Sequence, residues 1–575
     1  MKRLISITAV LILLGFTPLF ATDYYVSNAG DDEATGLIGF PWETINKVND
    51  EMGNFNADDN IYFNRGDEWQ GAAQERLEIT CSGTSGHHIT FGAYGTGALP
   101  IINGSTVETT WVKDSDVGEL DVYVKNFTND VGVIVEDDTY IINVRWDTDV
   151  ATTFGSASLG SWAYNSGTNN AYVVCTDNAD PDTHTMEVGA KADNERWAAR
   201  ILNGDYLTIE NLEFRYATSG GLRARITVDN TIHLVNINDC IFRLNGERGF
   251  ESSDAIDDGV CYMTFTIEDC DALYNGNHGF YFGGETKNSV IRRCEAHYNG
   301  WTRLQGDSVG GHGISSWANN DTARPHDNII EYCIASNTED AHDEGEGNGI
   351  QADDYTLDCI YRYNISYDNQ GSGFTDHPTA DGGSNQWYYI ISYGNGQHGF
   401  YVHTAPGCLV YNSVFYGNTD DSINIWSADS SGVIIKNNII FESSAQEIKV
   451  AATVPVGSPV SDYNCIYHSG GGTFMDWKGD DYDWADWKTN SSQDGNSLNE
   501  DPHVINAAGD DFRLLMGSPC INAGTDVSLT RDYLGILIRH APDIGAYENQ
   551  TNAIFYPPPP DLEKMRAMFL RITTK

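Results

Sequence analysis

A repeat constrains this chain more than any other feature. Between about residue 202 and residue 450 an apolar run leads to a Cys or Asn, an Asn follows five residues later, and a Gly then precedes Phe or Ile. Cys240 leads Asn245, Cys270 leads Asn275, Cys294 leads Asn299 and Asn364 leads Asn369; Cys333 is followed at the same distance by Thr338. The glycine step recurs at Gly221, Gly249, Gly279, Gly313, Gly349, Gly373 and Gly399, and continues with Ser422-Ile423 and Glu447-Ile448. Its spacings are 28, 30, 34, 36, 24, 26, 23 and 25 residues. That period is too short for a propeller blade and has no helical periodicity or Leu-rich signature. Short β-branched and aromatic runs punctuated by Asn and Gly fit one coil of a parallel β-helix. The expected fold is therefore all-β, a right-handed parallel β-helix with a β-rich insertion near the N-terminus.

Stacked coils turn sequence positions into columns. The cysteines at 240, 270, 294 and 333 then form an inward ladder of free thiols, favoured over a disulfide framework for a chain with 11 Cys. Residues 1–21 read as a signal peptide: Lys2 and Arg3, a short apolar run, then cleavage after Ala21. Residues 22–103 read as an N-terminal cap with the first coils and 104–200 as the insertion. Residues 201–450 are regular coils bearing a ligand groove, 451–548 C-terminal coils and cap, and 549–575 a Pro-rich tail. A secreted protein, extracellular or periplasmic, and a monomer are expected. The net charge of −49 excludes nucleic acid and anionic membrane as partners, since phosphate binding needs clustered Lys and Arg.

Alternation along each strand sends the second and fourth residues after the glycine outward and the third inward. The fourth-residue column then reads Trp317, Asp353, His377, His403 and Trp426, and the second-residue column Ser315, Gln351, Thr375, Tyr401 and Asn424. The residue before each glycine, His278, His312, Asn348, Ser372 or His398, faces out or lies at the turn. Ionisable groups flanked by ring platforms suit a saccharide chain. The expected catalytic residues are Asp353, His377, His403, Asp376 and His312; Trp317, Gln351, His398, Tyr401, Asn424, Trp426 and Arg324 are expected to bind substrate. Asp376 is sent inward, either as a structural acid or as an acid of raised pKa behind His377. Long insertions at 300–311, 338–348 and 377–383 border the same strands. The second carries Glu339, Asp340, Asp343, Glu344 and Glu346, a set that would suit calcium but lacks a defined loop signature. Calcium is thus the cofactor that the loop would suit, and no metal ligands are assigned. Asp353, His377 and His403 also form a two-His-one-carboxylate alternative.

These elements resemble the pectate-lyase-like right-handed parallel β-helix superfamily: "YYVSNAGDDEATG…PWETINKVN" is similar to its openings and "DIGAYE" to a common ending. The closest specific pattern is that of family-nine polysaccharide lyases, whose Asp-Gly-Phe and Asp-Asp-Gly-Trp-Asp steps hold calcium beside a base lysine. The matching positions here are Asn348-Gly349-Ile350 and Gly371-Ser372-Gly373-Phe374-Thr375. The calcium aspartates are missing, and no lysine projects from the glycine-step strands between 313 and 426. That mechanism does not transfer. The resemblance implies a polysaccharide ligand and a lyase or glycoside hydrolase. β-Elimination would use His377 or His403 as base and Arg324 against a uronate. Hydrolysis would pair Asp353 with Asp376 or with an acid of the 338–346 loop. A non-catalytic binder using Trp317, Tyr401 and Trp426 is the alternative, and the His/Asp group favours the enzyme.

Overall fold

A computed structural model describes residues 21–71, 76–190, 192, 196–227, 232–254, 262–302, 310–318, 324–340, 346–379, 384–538 and 540–549. Strands of about three residues alternate with tight turns, and each coil contributes one strand to each of three long parallel sheets. One coil runs Ile360–Arg362 in the first sheet, Ile365–Tyr367 in the second and Phe374–Asp376 in the third. The first sheet extends from Asp23–Val26 to Val460–Asp462 and the second from Glu68–Trp69 to Cys465–Tyr467. The third runs from Leu77–Ile79 to Met475–Trp477 and ends on the antiparallel strand Asp480–Tyr482. The fold is a right-handed parallel β-helix, the hand that strand twist imposes on parallel crossovers.

Inside, like residues stack on like. Ile, Phe and Val fill the core, and the ten described cysteines are all buried and free. Asn245 Nδ2 donates to Asn275 Oδ1 at 2.9 Å and Asn275 Nδ2 to Asn299 Oδ1 at 3.0 Å. A second run joins Asn369, Asn395 and Asn418, each step 2.9 Å. These amides also satisfy the backbone of the turns between the second and third sheets, which no ladder reaches. The Asn ladder crowds most of the glycine step, with Ser366 Oγ and Ser392 Oγ nearer still at Gly349 and Gly373. A methyl at Gly349 would lie 2.8 Å from Asn369 Nδ2, one at Gly373 2.7 Å from Asn395 Nδ2 and one at Gly399 2.6 Å from Asn418 Nδ2. Where the ladder ends and Ser443 takes the next Asn position, side chains return: Ser422 Oγ donates to Glu447 Oε2 at 2.9 Å.

A short helix, Ile45–Asp50, capped by Thr44, buries Ile45 and Val48 in the N-terminal end of the core. Of the expected insertion at 104–200, the strands from Thr106–Glu108 to Met186–Gly189 form a four-stranded and a five-stranded sheet, whereas Trp197–Leu202 already belongs to the third long sheet. Their core, with Trp111, Trp162 and Met186, closes on Tyr216, Leu244 and Trp301 of the β-helix. The last coil ends near Trp477, and the described residues beyond it add no further parallel strand to the three long sheets. The chain runs back outside the second sheet, where Phe512 packs on Tyr393 and Gly545 N donates to Asn437 O at 2.7 Å. Among the described residues no helix is long and apolar enough to cross a membrane. The expected signal peptide and tail, and the expected loop acids Asp343 and Glu344, lie outside the described residues.

Candidate functional site

The third sheet carries the glycine step in register. Ile314, Ile350, Phe374, Phe400 and Ile423 pair in sequence, so Ser315, Gln351, Thr375, Tyr401 and Asn424 form one column. Backbone bonds extend the stack to the fourth residues: Asp353 N to Ser316 O at 2.9 Å, His377 N to Ala352 O at 2.7 Å, His403 N to Asp376 O at 2.9 Å and Trp426 N to Val402 O at 3.0 Å. Trp317, Asp353, His377, His403 and Trp426 thus stand on one wall.

At its centre His377 Nδ1 lies 3.3 Å from Asp353 Oδ1, and the His377 and His403 rings meet edge to face at 4.4 Å. Burial works against a charged His377, but Asp353, then Asp354 and Glu346, hold it above the usual imidazole value. Burial lowers His403, and charge on His377 lowers it further. One imidazole therefore favours the charged form and its neighbour the neutral form. Tyr401 stacks on His403 at 5.7 Å, and Trp426 is half exposed.

Two carboxyls complete the cluster. Asp354 follows Asp353 where the strand Ile350–Ala352 has ended, so alternation no longer separates their side chains. Its carboxyl bonds Trp317 and is raised by burial and then by Asp353, while its buried Oδ1 has no hydrogen-bond partner. Glu346 returns from its loop through Gly347, whose φ of +78° suits glycine. Glu346 Oε2 lies 3.3 Å from His312 Nε2, and Glu346 N donates to Asp340 Oδ2 at 3.0 Å. Burial raises the Glu346 carboxyl, and Asp353 adds to this against the opposing pull of His312. Asp353, Asp354 and His377 offer ligand atoms all within 4.8 Å of one another. Two carboxylates and an imidazole suit a transition metal better than the all-oxygen shell of calcium.

Several expected residues play other parts. Asp376 is fully buried inside the solenoid, where Oδ1 accepts from Asn385 Nδ2 at 2.8 Å and burial raises the carboxyl. It faces the core, and its place as a catalytic acid is withdrawn. His312 is buried at the turn, with Nδ1 accepting from Asn348 N at 3.3 Å. Only its Nε2 faces Glu346, so it orients that acid and does not itself present to a ligand. His398 Nδ1 likewise accepts from Asp421 N at 3.3 Å, and burial pushes its pKa down to about 4. Gln351 and Asn424 are buried, Gln351 Oε1 accepting from Asn348 Nδ2 and Asn424 Nδ2 donating to Asp421 Oδ2 at 2.7 Å each, which corrects the expectation that they lie open to substrate. Arg324 is half-buried between the first and second insertions, and no ion pair joins it to the column among the described residues. Sequence reasoning missed Asp354 and treated Glu346 only as one acid of a run.

No family model matches the chain. A curated protein, lacto-N-biosidase of Bifidobacterium longum subsp. longum, is 23% identical across 93% of this chain, and the chain spans 37% of that protein's length. Among solved structures, a complex of XylC with xylose has a TM-score of 0.59 at 12% identity, covering 92% of this chain and 98% of XylC. Pectate lyase Pel9A is 13% identical, covers 92% of this chain and 96% of its own, and has a TM-score of 0.47. The three continuous parallel sheets and the likeness to XylC agree on the fold, a right-handed parallel β-helix.

Proposed function

We propose that this protein is an exported glycan-active enzyme that hydrolyses a glycosidic bond at the cluster of Glu346, Asp353 and His377. One observation carries the reading. A carboxyl raised by burial, Glu346, shares a wall with a carboxylate, Asp353, that is paired to a charged-favouring imidazole. Hydrolysis needs two carboxyl groups whose surroundings push them apart in acidity. Glu346, oriented by His312, donates its proton to the leaving oxygen. Asp353, held 3.3 Å from His377 Nδ1, faces the anomeric carbon or the water that attacks it. Neutral His403 is free to bond a sugar hydroxyl, and Trp317, Tyr401 and Trp426 supply ring faces for pyranose C–H surfaces. The similarity to a lacto-N-biosidase and to a structure holding xylose supports a carbohydrate ligand.

β-Elimination is the second reading, favoured by one observation. The unpartnered Asp354 Oδ1, with Asp353 and His377, offers a place for a cation that would neutralise a uronate, leaving neutral His403 as base. Product chemistry separates the two. The purified protein is incubated with neutral and uronate-containing glycans, and both new reducing ends and the ultraviolet absorbance of unsaturated ends are read. Hydrolysis predicts reducing ends without absorbance, and elimination predicts both. Neither signal across the panel would leave only a binder. Export itself is tested by sequencing the N-terminus of the mature protein, which is expected to begin at Thr22.

A further inference from the structure

The groove wall does not end at Trp317. Followed toward the N-terminus, the fourth-residue column pairs Trp317 with Gly283, then continues through Ser253 to Arg225. The second-residue column continues through Tyr281 and Glu251 to Arg223 and Arg200. Arg248 lies beside them, directly before Gly249. A chain with a net charge of −49 thus gathers four guanidinium groups on one stretch of the wall that holds its acid cluster.

These arginines are only partly neutralised. Glu251 meets Arg223 at 3.0 Å and Arg248 at 2.5 Å, and Glu78 meets Arg200 at 2.5 Å. No ion pair or side-chain hydrogen bond engages the Arg225 guanidinium among the described residues, and its Nε is buried without a partner. The Nε of Arg248 is likewise unpartnered. Arg223 is lowered by burial, with Arg225, Arg248 and Arg200 adding to the effect against Glu251. Two of the groups are also braced by rings: Arg248 stands 4.5 Å over Tyr281 and Arg223 5.5 Å over Trp197. Fixed, planar and under-neutralised guanidiniums suit a carboxylate or sulfate oxygen pair. Between this patch and the acid cluster the column carries Ser253, Gly283 and Trp317, with the Tyr281 ring beside Gly283, so small residues and ring faces connect the two. Arg225 lies four coil steps from Asp353, about 19 Å at the usual strand spacing, within reach of an oligosaccharide of a few units.

We infer that the Arg200–Arg223–Arg225–Arg248 patch is a subsite for a single anionic group on the glycan, so that the ligand is a mostly neutral chain bearing an isolated uronate or sulfate ester. This rests on the glycan-binding reading of the same groove. A polyanion would not suit, because its other charges would fall on the acid cluster.

The test measures binding on Asp353→Asn protein, so that no ligand is consumed. Three oligosaccharides are compared: a neutral chain, the same chain with one glucuronic acid, and the same chain with one sulfate ester. The expected result is about tenfold tighter binding of an acidic chain than of the neutral one, as for a charge-assisted contact. The preference is expected to shrink with added salt, to disappear in Arg225→Gln and to return in part in Arg225→Lys. Whichever acidic chain shows it identifies the anion. Equal affinity for all three chains, or a preference that Arg225→Gln leaves intact, overturns the subsite. If the wild-type protein cleaves neutral chains with no acidic preference, the subsite falls and the hydrolase reading stands. If Arg225-dependent binding occurs without turnover of any chain, the reverse holds.

Discussion

Asp353 and Asp354 show how much a three-residue strand leaves open. Alternation assigns faces through the strand and the one residue after it whose N–H still bonds the coil before. It gave His377 and His403 their common wall and turned Asp376 inward, as observed. Past Asp353 it says nothing, and Asp354 joined the cluster unseen. Glu346 was illegible for a different reason: a left-handed turn at Gly347 aims it back at His312, and an acidic run does not reveal which of its members folds inward. In the proposed mechanism Glu346 works protonated, and its raised pKa extends that form to higher pH. Activity should therefore fall as pH rises through that raised value. Glu346→Gln is expected to cost roughly 10²–10⁴ in rate and to abolish this alkaline limb, as for loss of a general acid. A variant that keeps the limb would assign it to another group, His377 first.

At the level of the coil, glycine and asparagine are one device split across neighbouring turns. The sequence displayed both halves, Gly before Phe or Ile and Asn at a fixed distance, and the period followed from them. Their reason appears only in three dimensions, where the Asn of one coil occupies the space a Cβ would need on the coil before. A methyl at Gly373 would overlap Ser392 Oγ and crowd Asn395 Nδ2. Gly373→Ala should destabilise by about 1–3 kcal/mol in denaturant unfolding, the usual cost of overpacking. Gly495→Ala, exposed and with open space at its Cβ, should be nearly neutral. Equal effects at both positions would mean the ladder is not what excludes side chains. The columns beyond Gly313 were read in the right register but not with the right exposure. Gln351 and Asn424 do leave the core side of the sheet, yet hydrogen bonds to Asn348 and Asp421 draw them beneath their neighbours.

For the whole molecule, the solenoid was legible and its C-terminal course was not. "DIGAYE" reads as a closing motif, but the residues after the last coil return along the outside of the second sheet, with Tyr533 against Tyr363. That return buries acids. Asp532 accepts from Ile536 N at 2.6 Å and Glu548 N at 2.9 Å, and burial raises it to about 7; burial with Asp543 raises Glu548 to about 8. Both values lie above the ordinary carboxylate range near 4, so across the interval the folded state binds more protons than the unfolded one. These groups therefore favour folding at acid pH, and that contribution is lost as pH rises through about 7 to 8. The melting temperature should decline between roughly pH 5 and pH 8. Asp532→Asn should flatten the decline, and an unchanged slope would place the titrating groups elsewhere.

The central claim is that the wall formed by Asp353, His377 and Glu346 performs chemistry on a glycan that its rings merely hold. Turnover and affinity measured on one cleaved glycan, for wild type and Asp353→Asn, address it most directly. The account predicts a loss in turnover of about 100-fold or more with affinity changed only severalfold. Turnover that survives the substitution, or that falls only as far as affinity does, would contradict it.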